Sequence, residues 1–251
     1  MAGMLTDKVA IVTGGGRNIG RAIAYRLFEE GCHVVVCART QKEIDHTAGV
    51  IQEQGGRAFA VNCDVTKEED VQRVIEAAVK FFGRVDFLIN NAGNYLSKPL
   101  METTVEDFDG VVNANLRGAF LFSKAVLPEL KKVESGRIVN MSSLFGMIPS
   151  SDVSIYAAVK AGLIGFTKAL ARELHADGVN VNAVCPGAVD TETEIETDET
   201  RRGLGRVLRP RDVADVVSYL LTDGSSQITG AAIQVPGQTD FSVAQITAGQ
   251  Q

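Results

Sequence analysis

The chain predicts an α/β fold of the doubly wound kind, a mostly parallel sheet with helices on both faces. Three observations carry that prediction. Short runs rich in Val, Ile and Phe alternate with longer segments of helical period along the chain. The runs are continuously apolar instead of alternating, the mark of strands buried on both faces. No internal repeat, low-complexity tract or Pro-rich linker interrupts the series. Strand–helix alternation of this kind demands parallel strands with helical crossovers. A length of 251 residues, 45% hydrophobic and 22% charged, suffices for one core of that type. Residues 1–251 are therefore expected to form a single domain.

Val9-Ala10-Ile11-Val12 begins the series as a strand, and a glycine-rich turn leads into a helix from about Ile19 to Glu30. Val34-Val35-Val36 is the second strand, and a third lies near Ala58 to Asn62. A helix over Glu68 to Phe82 precedes the fourth strand, Phe87-Leu88-Ile89, and a long helical stretch runs from about Val105 to Lys131. Ile138-Val139-Asn140 forms the fifth strand, Val153 to His175 a helix, and Val179 to Val184 the sixth strand. A helix over Asp212 to Leu221 and a seventh strand near Ile233 complete the alternation. The polar segment 192–206 follows the sixth strand. Ligands of open α/β sheets bind beyond the carboxyl ends of the strands, so this insert is placed to act as a substrate-side lid; a surface loop without a role is the alternative. Residues 238–251 form a C-terminal tail.

Composition excludes several functions. A net charge of −6 without any Lys/Arg-rich run gives no general attraction for nucleic acid or an anionic membrane. Cys32, Cys37, Cys63 and Cys185 are scattered, with no Cys-x-x-Cys pair, and read as small core residues of a reducing compartment. His33, His46 and His175 lack ligand spacing, so no metal site is expected. No apolar run approaches the ~18 residues of a membrane span, and Met1-Ala2-Gly3-Met4 lacks a signal-peptide apolar region. A soluble, cytoplasmic protein is expected.

Chemistry concentrates at Tyr156 and Lys160, four residues apart and therefore on one helix face. At about 4 Å and an effective dielectric near 20, an ammonium attracts a phenolate by roughly 4 kcal/mol, about three pKa units before screening and desolvation. Such a tyrosine would titrate near neutrality instead of near ~10. At the other end of the chain, Thr13-Gly14-Gly15-Gly16-Arg17-Asn18-Ile19-Gly20 joins the first strand to the first helix. Its glycines allow a tight turn and close approach of backbone N–H groups to a pyrophosphate at the helix N-terminus. No Gly-Lys-Ser/Thr closes the run, which excludes a P-loop, and the strict Gly-x-Gly-x-x-Gly spacing is absent as well. Where a carboxylate would bind a ribose 2'-hydroxyl, at the end of the second strand, the sequence reads Cys37-Ala38-Arg39-Thr40. Arg39 and Arg17 there suit a 2'-phosphate, which predicts NADP(H) over NAD(H). Two solvated arginines at helix ends are the plainer alternative.

Thr13-Gly14-x-x-x-Asn18-Ile19-Gly20, Asn90-Asn91-Ala92-Gly93 and Tyr156-x-x-x-Lys160, in that order, give a chain that resembles the short-chain dehydrogenase/reductase family over nearly its whole length. The resemblance implies a Rossmann-type sheet of seven mostly parallel strands. It implies that Gly14, Arg17, Asn18, Ile19 and Gly20 hold the cofactor's phosphates and that Asp64, with Val65, contacts the adenine. It places Asn91, Ala92 and Gly93 in the fourth-strand motif, and Pro186, Gly187, Val189 and Thr191 beside the nicotinamide. Asn115, Ser143, Tyr156 and Lys160 become a catalytic tetrad: Tyr156 as general acid/base, Ser143 on the carbonyl oxygen, Lys160 lowering the tyrosine pKa and holding the ribose, Asn115 supporting a proton-relaying water. Each has a structural alternative, with Ser143 capping a turn, Asn115 bonding backbone in a helix kink and Lys160 solvated. Two departures stand out. Asn18 replaces the loop's usual middle glycine, and asparagine tolerates left-handed backbone angles best after glycine. Val235-Pro236-Gly237-Gln238 replaces the common Asp-Gly-Gly-like ending.

Leu144 to Pro149 and Tyr95-Leu96, expected beside the nicotinamide, are largely apolar and suggest an uncharged ketone or secondary alcohol with a hydrophobic body, although such side chains also simply fill core. Reduction of 3-oxoacyl groups on acyl-carrier protein is the runner-up. Against it, Glu134 and Asp177 stand where that branch often has arginine, and like charges oppose docking of an acidic carrier; Lys131, Lys132 and Arg137 nearby soften the objection. A non-catalytic NADP-binding regulator would be expected to lack the tyrosine or lysine, and both are present. The resemblance also implies a homotetramer, or a homodimer, built through the helices of 105–131 and 153–175 and the last strand.

Overall fold

Seven strands form one sheet: β1 (Val9–Thr13), β2 (His33–Ala38), β3 (Ala58–Asn62), β4 (Phe87–Asn90), β5 (Arg137–Met141), β6 (Asn180–Pro186) and β7 (Ala232–Val235). Every pairing is parallel, and the order is β3-β2-β1-β4-β5-β6-β7. The coordinates are a computed structural model that describes residues 3–191 and 207–237. The expected lid, 192–206, and tail, 238–251, lie outside the described residues.

The continuous apolar runs are explained by the two cores. Ala10, Val12, Val34, Val36, Phe87 and Ile89 point to one face, where α1 (Asn18–Glu29), α2 (Gln41–Glu53) and α7 (Pro210–Leu220) pack. Their strand neighbours Ile11, Val35, Leu88 and Ile138 point to the other, covered by α3 (Glu68–Phe82), α5 (Gly118–Leu130) and α6 (Ser154–Glu173). Alternate side chains leave a strand on opposite sides, so a strand between two helical layers needs apolar residues at every position. All four cysteines are buried and unpaired. No helix among the described residues is long and apolar enough to cross a membrane.

Two elements differ from the sequence expectation. Helix α2 carries its buried face on Ile44, Thr47, Ala48 and Ile51. The spacing is helical, but a threonine and polar neighbours dilute the apolar signal between β2 and β3. The long stretch from Val105 is not one α-helix: α4 (Val105–Val112) passes through a π-helical segment, Asn113–Arg117, before α5. Within it the Asn115 side chain donates to the Val111 carbonyl at 3.0 Å, adding a partner on the helix's own backbone. Widened turns of this kind bring a chosen side chain out of helical phase.

A buried polar chain ties the strand ends together. Asn90 Nδ2 donates to Asn140 Oδ1 (2.8 Å) and to Ser123 Oγ (3.2 Å), and Asn140 Nδ2 donates to Thr167 Oγ1 (2.9 Å). The network joins β4, β5, α5 and α6 just below the loops that carry Asn91 and Ser143. Asn140→Leu is expected to destabilise the fold by about 1–3 kcal/mol for each polar group it leaves unpaired. Urea unfolding measures this, and a midpoint equal to that of the parent would show that the network contributes no net stability.

Candidate active site

Beyond the carboxyl ends of the strands lies a cleft of about 690 Å³. Its position follows from topology. The chain leaves β1 toward β2 and β3, then returns to start β4 on β1's other side, so the loops after β1 and β4 diverge and open a crevice. Thr13 and Asn91 latch that crevice at its floor. Thr13 Oγ1 accepts from the backbone N–H groups of Asn91 and Ala92, both at 2.9 Å, and Asn91 Nδ2 donates to the Thr13 carbonyl at 2.9 Å.

The glycine loop fits a close-lying ligand. Gly14 is left-handed (φ 65°), and a Cβ there would come within 2.9 Å of Asn91 Nδ2. At Gly20 a Cβ would meet the Gly14 carbonyl at 2.1 Å, so only glycine lets α1 approach the loop this closely. Asn18 is left-handed as well, with φ 49°, as its replacement of a glycine predicts. The first turn of α1 carries no acidic residue. Arg21 braces the loop by donating to the Gly16 carbonyl at 3.0 Å through Nε. Arg17 and Arg39 are exposed and, among the described residues, make no ion pair.

Sixteen of the sequence-predicted residues line this one cleft: Gly14, Arg17, Asn18, Ile19 and Gly20; Arg39, Asp64 and Val65; Asn91, Ala92 and Gly93; Asn115, Tyr156 and Lys160; Pro186 and Thr191. Ser143, Gly187 and Val189 do not. Ser143 is buried beside Tyr156, Gly187 N donates to the Val235 carbonyl at 2.9 Å, and Val189 forms a bridge with Leu208. Asp64 is held by Thr66, whose N and Oγ1 donate to its Oδ1 at 3.0 and 2.8 Å.

At the other end, α6 carries Tyr156 and Lys160 one turn apart. Lys160 Nζ donates to the Met141 carbonyl at 2.8 Å and sits 5.5 Å from the centre of the Tyr156 ring. Burial without a facing carboxylate lowers its pKa to about 8. Gly146 makes the packing possible, since a Cβ there would fall 2.8 Å from the Lys160 carbonyl carbon. Ser143 Oγ accepts from Phe145 N at 3.2 Å, capping a 3-10 turn, which leaves its own O–H to donate elsewhere.

The expectation that Lys160 brings Tyr156 to neutrality is corrected by this geometry. Burial raises the phenol above its ordinary value, the Ser143 hydroxyl pulls it partly back, and Tyr95 adds to the rise. The ammonium lies over the ring and bonds a backbone carbonyl, so burial outweighs it.

Asn115 Nδ2 has acceptors at Val111 O (3.0 Å), Asn94 O (3.0 Å) and Asn94 Oδ1 (2.9 Å). Its Oδ1 is buried with no hydrogen-bond partner among the described residues, against Gly93, where a Cβ would lie 2.2 Å away. The amide of this cleft-lining residue thus keeps one buried acceptor without a donor among the described residues.

Sequence reasoning missed Asn94 and Ser142. Ser142 Oγ donates to the Lys160 carbonyl at 2.9 Å. Both serines follow β5 directly and the sequence alone does not say which one turns toward α6, while Asn94 carries no pattern of its own.

A parallel sheet of this order, with a glycine loop at the switch point and a buried lysine–tyrosine pair across the cleft, defines a nucleotide-dependent oxidoreductase. The short chain dehydrogenase family model matches residues 8–202, and the chain belongs to that family. It is similar to a 3-oxoacyl-[acyl-carrier-protein] reductase of Synechocystis sp., 39% identical over 93% of this chain and 97% of the relative. FabG, the 3-oxoacyl-[acyl-carrier-protein] reductase of Vibrio cholerae, is 38% identical over 93% of this chain and 97% of its own length. Dehydrogenase/reductase SDR family member 4 of Pongo abelii is 37% identical over 94% and 88%. The chain is thus an oxidoreductase of CH–OH groups that uses a nicotinamide cofactor and a small-molecule substrate.

The buried lysine has a signature in stability. Its folded pKa of about 8 lies below the ordinary value of 10.5, so the unfolded chain binds this proton more tightly. Between those values stability should rise with pH, by up to roughly 3 kcal/mol from this group. Lys160→Met should remove that part of the rise, as read by denaturant titrations at a series of pH values.

Proposed function

We propose that the chain is an NADP(H)-dependent oxidoreductase that interconverts an uncharged ketone and a secondary alcohol, with Tyr156 as the general acid/base. The observation that carries this reading is the Lys160 ammonium buried over the Tyr156 ring, with the Ser143 hydroxyl beside the phenol and Asn115 on the same cleft. Gly14, Asn18, Ile19 and Gly20 would hold the pyrophosphate and Arg17 and Arg39 the 2'-phosphate. Asp64 and Val65 would meet the adenine, Asn91, Ala92 and Gly93 the cofactor's middle, and Pro186, Gly187, Val189 and Thr191 the nicotinamide.

When bound, the reduced nicotinamide supplies the hydride to the carbonyl carbon. The chain's own part is protonic. Ser143 donates a hydrogen bond to the carbonyl oxygen, and Tyr156 gives that oxygen its proton as negative charge develops. A phenol held above its ordinary pKa is fully protonated at neutral pH, which suits the reductive direction. Lys160, near its own midpoint at pH 8, is able to return a proton to the phenolate and to donate to ribose hydroxyls. Asn115 Oδ1 accepts from a relaying water. In the oxidative direction Tyr156 is the base.

Reduction of acyl-carrier-protein thioesters is the second reading, favoured by the names of the 38–39% identical relatives, which are 3-oxoacyl-[acyl-carrier-protein] reductases. Asp177, one of two acids set against it, is paired with Lys131 at 2.8 Å, which weakens the objection. Comparing a free ketone with a carrier-bound 3-oxoacyl group separates the two. The reading also takes residues 1–251 as one Rossmann domain, 192–206 as a lid, and the assembly as a homotetramer or homodimer.

Tyr156→Phe should lower kcat by about 10²-fold or more while cofactor binding, followed by nicotinamide fluorescence, persists. Near-parental turnover would remove Tyr156 from the chemistry. Arg39→Asp should weaken NADPH at least about tenfold relative to NADH in kcat/KM; an unchanged ratio would sink the 2'-phosphate assignment.

A further inference from the structure

Tyr95 lies on the loop after β4, and both ends of that loop are pinned. On one side Asn115 Nδ2 donates to the Asn94 carbonyl at 3.0 Å; on the other, Lys98 N donates to the Asp152 carbonyl at 2.6 Å. A coil tied at both ends holds its side chain in a defined place. The Tyr95 ring stands edge-on to Tyr156, 5.0 Å between centres at 79°, and nearly parallel to Phe145, 6.5 Å apart at 24°. Tyr95 therefore joins two rings, with Tyr156 on one side and Phe145 on the other. Yet Tyr95 remains 59% exposed while lining the cleft. A large aromatic left open beside a reactive group is a contact surface for a ligand. The neighbouring charges are already matched, since Lys98 Nζ pairs with Asp107 at 2.7 Å.

We propose that Tyr95 makes the site selective for carbonyls that bear a flat unsaturated ring beside the reacting carbon, aryl ketones above all. The inference rests on the reading of Tyr156 as proton donor. An aliphatic wall would accept any apolar body. A ring presents a π face with a quadrupole, and offset stacking adds about 0.5–1.5 kcal/mol beyond burial of area, or roughly 2- to 12-fold in binding. A saturated ring of equal carbon number cannot collect that increment, nor can a flexible acyl chain, which also loses rotamer freedom on ordering. Tyr95 is accordingly a specificity residue, and its hydroxyl is not required for the effect.

The test compares acetophenone with cyclohexyl methyl ketone, a matched pair, in the parent enzyme and in Tyr95→Phe and Tyr95→Leu. The parent should favour acetophenone in kcat/KM, Tyr95→Phe should keep the preference within about twofold, and Tyr95→Leu should lose about 2- to 12-fold on acetophenone alone, chiefly through KM. Equal loss on both ketones would make Tyr95 a support for Tyr156 and overturn the proposal. So would a parent enzyme that treats the pair alike, or one that reduces neither while reducing another carbonyl in a Tyr156-dependent way. Tyr156-independent turnover of any ketone would instead overturn the underlying reading of the site.

Discussion

The latch between Thr13 and Asn91 is the constraint on which the site depends. β1 and β4 are adjacent strands whose following loops run in opposite directions, so nothing in the ladder itself keeps the loops in register with one another. One threonine hydroxyl accepting two N–H groups, with the Asn91 amide returning to the Thr13 carbonyl, supplies that register. The glycine loop then lies against β4, Gly14 turns left-handed over Asn91, and α1 starts close enough to the Gly14 carbonyl that Gly20 admits no Cβ. On the far side of the latch the same β4 loop delivers Gly93, Asn94 and Tyr95 to the neighbourhood of Asn115 and Tyr156. Two ends of one cleft are positioned from a single crossing point.

The second organising feature is a cation kept in the core. Lys160 is 5% exposed, and among the described residues the only hydrogen bond of its ammonium is to the Met141 carbonyl. A buried ammonium without an opposing carboxylate is costly unless it is partly neutral, and burial does move it toward neutrality. The fold tolerates this because the supports are stiff. Ser142 fastens the Lys160 carbonyl, Gly146 lets the 3-10 turn lie against α6, and the Asn90–Asn140–Thr167 chain anchors the strands beneath. Such an ammonium has donors to spare, the property needed by a group that holds hydroxyls and moves protons.

Much of this was legible in the sequence because burial writes itself in composition. Strands between two helical layers must be apolar at successive positions, and Val9 to Val12 or Phe87 to Ile89 cannot be read otherwise. The spacing of Tyr156 and Lys160 similarly fixes them to one helix face. Helix α2 was not legible, because its inward face mixes Thr47 with Ile44, Ala48 and Ile51 against only one layer of sheet. The π-helical turn at Asn113–Arg117 leaves no compositional trace, since it depends on where one amide finds its partners in space. The direction of the Tyr156 shift escaped for a related reason. Spacing gives proximity to a charge, whereas desolvation depends on everything packed around the phenol, and here burial leads.

Where the chain departs from local rules, the departures gather in one place. Asn18 holds a left-handed angle at the glycine loop, α4 widens at Asn115, Asn115 Oδ1 is buried without a partner, and Lys160 is buried without a carboxylate. Asp152, also left-handed, accepts from Lys98 and so steadies the loop of Tyr95. Asp7, in the turn before β1, is left-handed too, but there the carboxylate faces His33 at 3.8 Å, away from the cleft. Each local irregularity carries a free-energy cost that a purely structural sheet would shed. Their convergence on the cleft argues that the cost is retained for chemistry: Asn115 Oδ1 has no partner among the described residues, and the Lys160 ammonium bonds only the Met141 carbonyl there, so both keep hydrogen-bonding capacity beside the cleft.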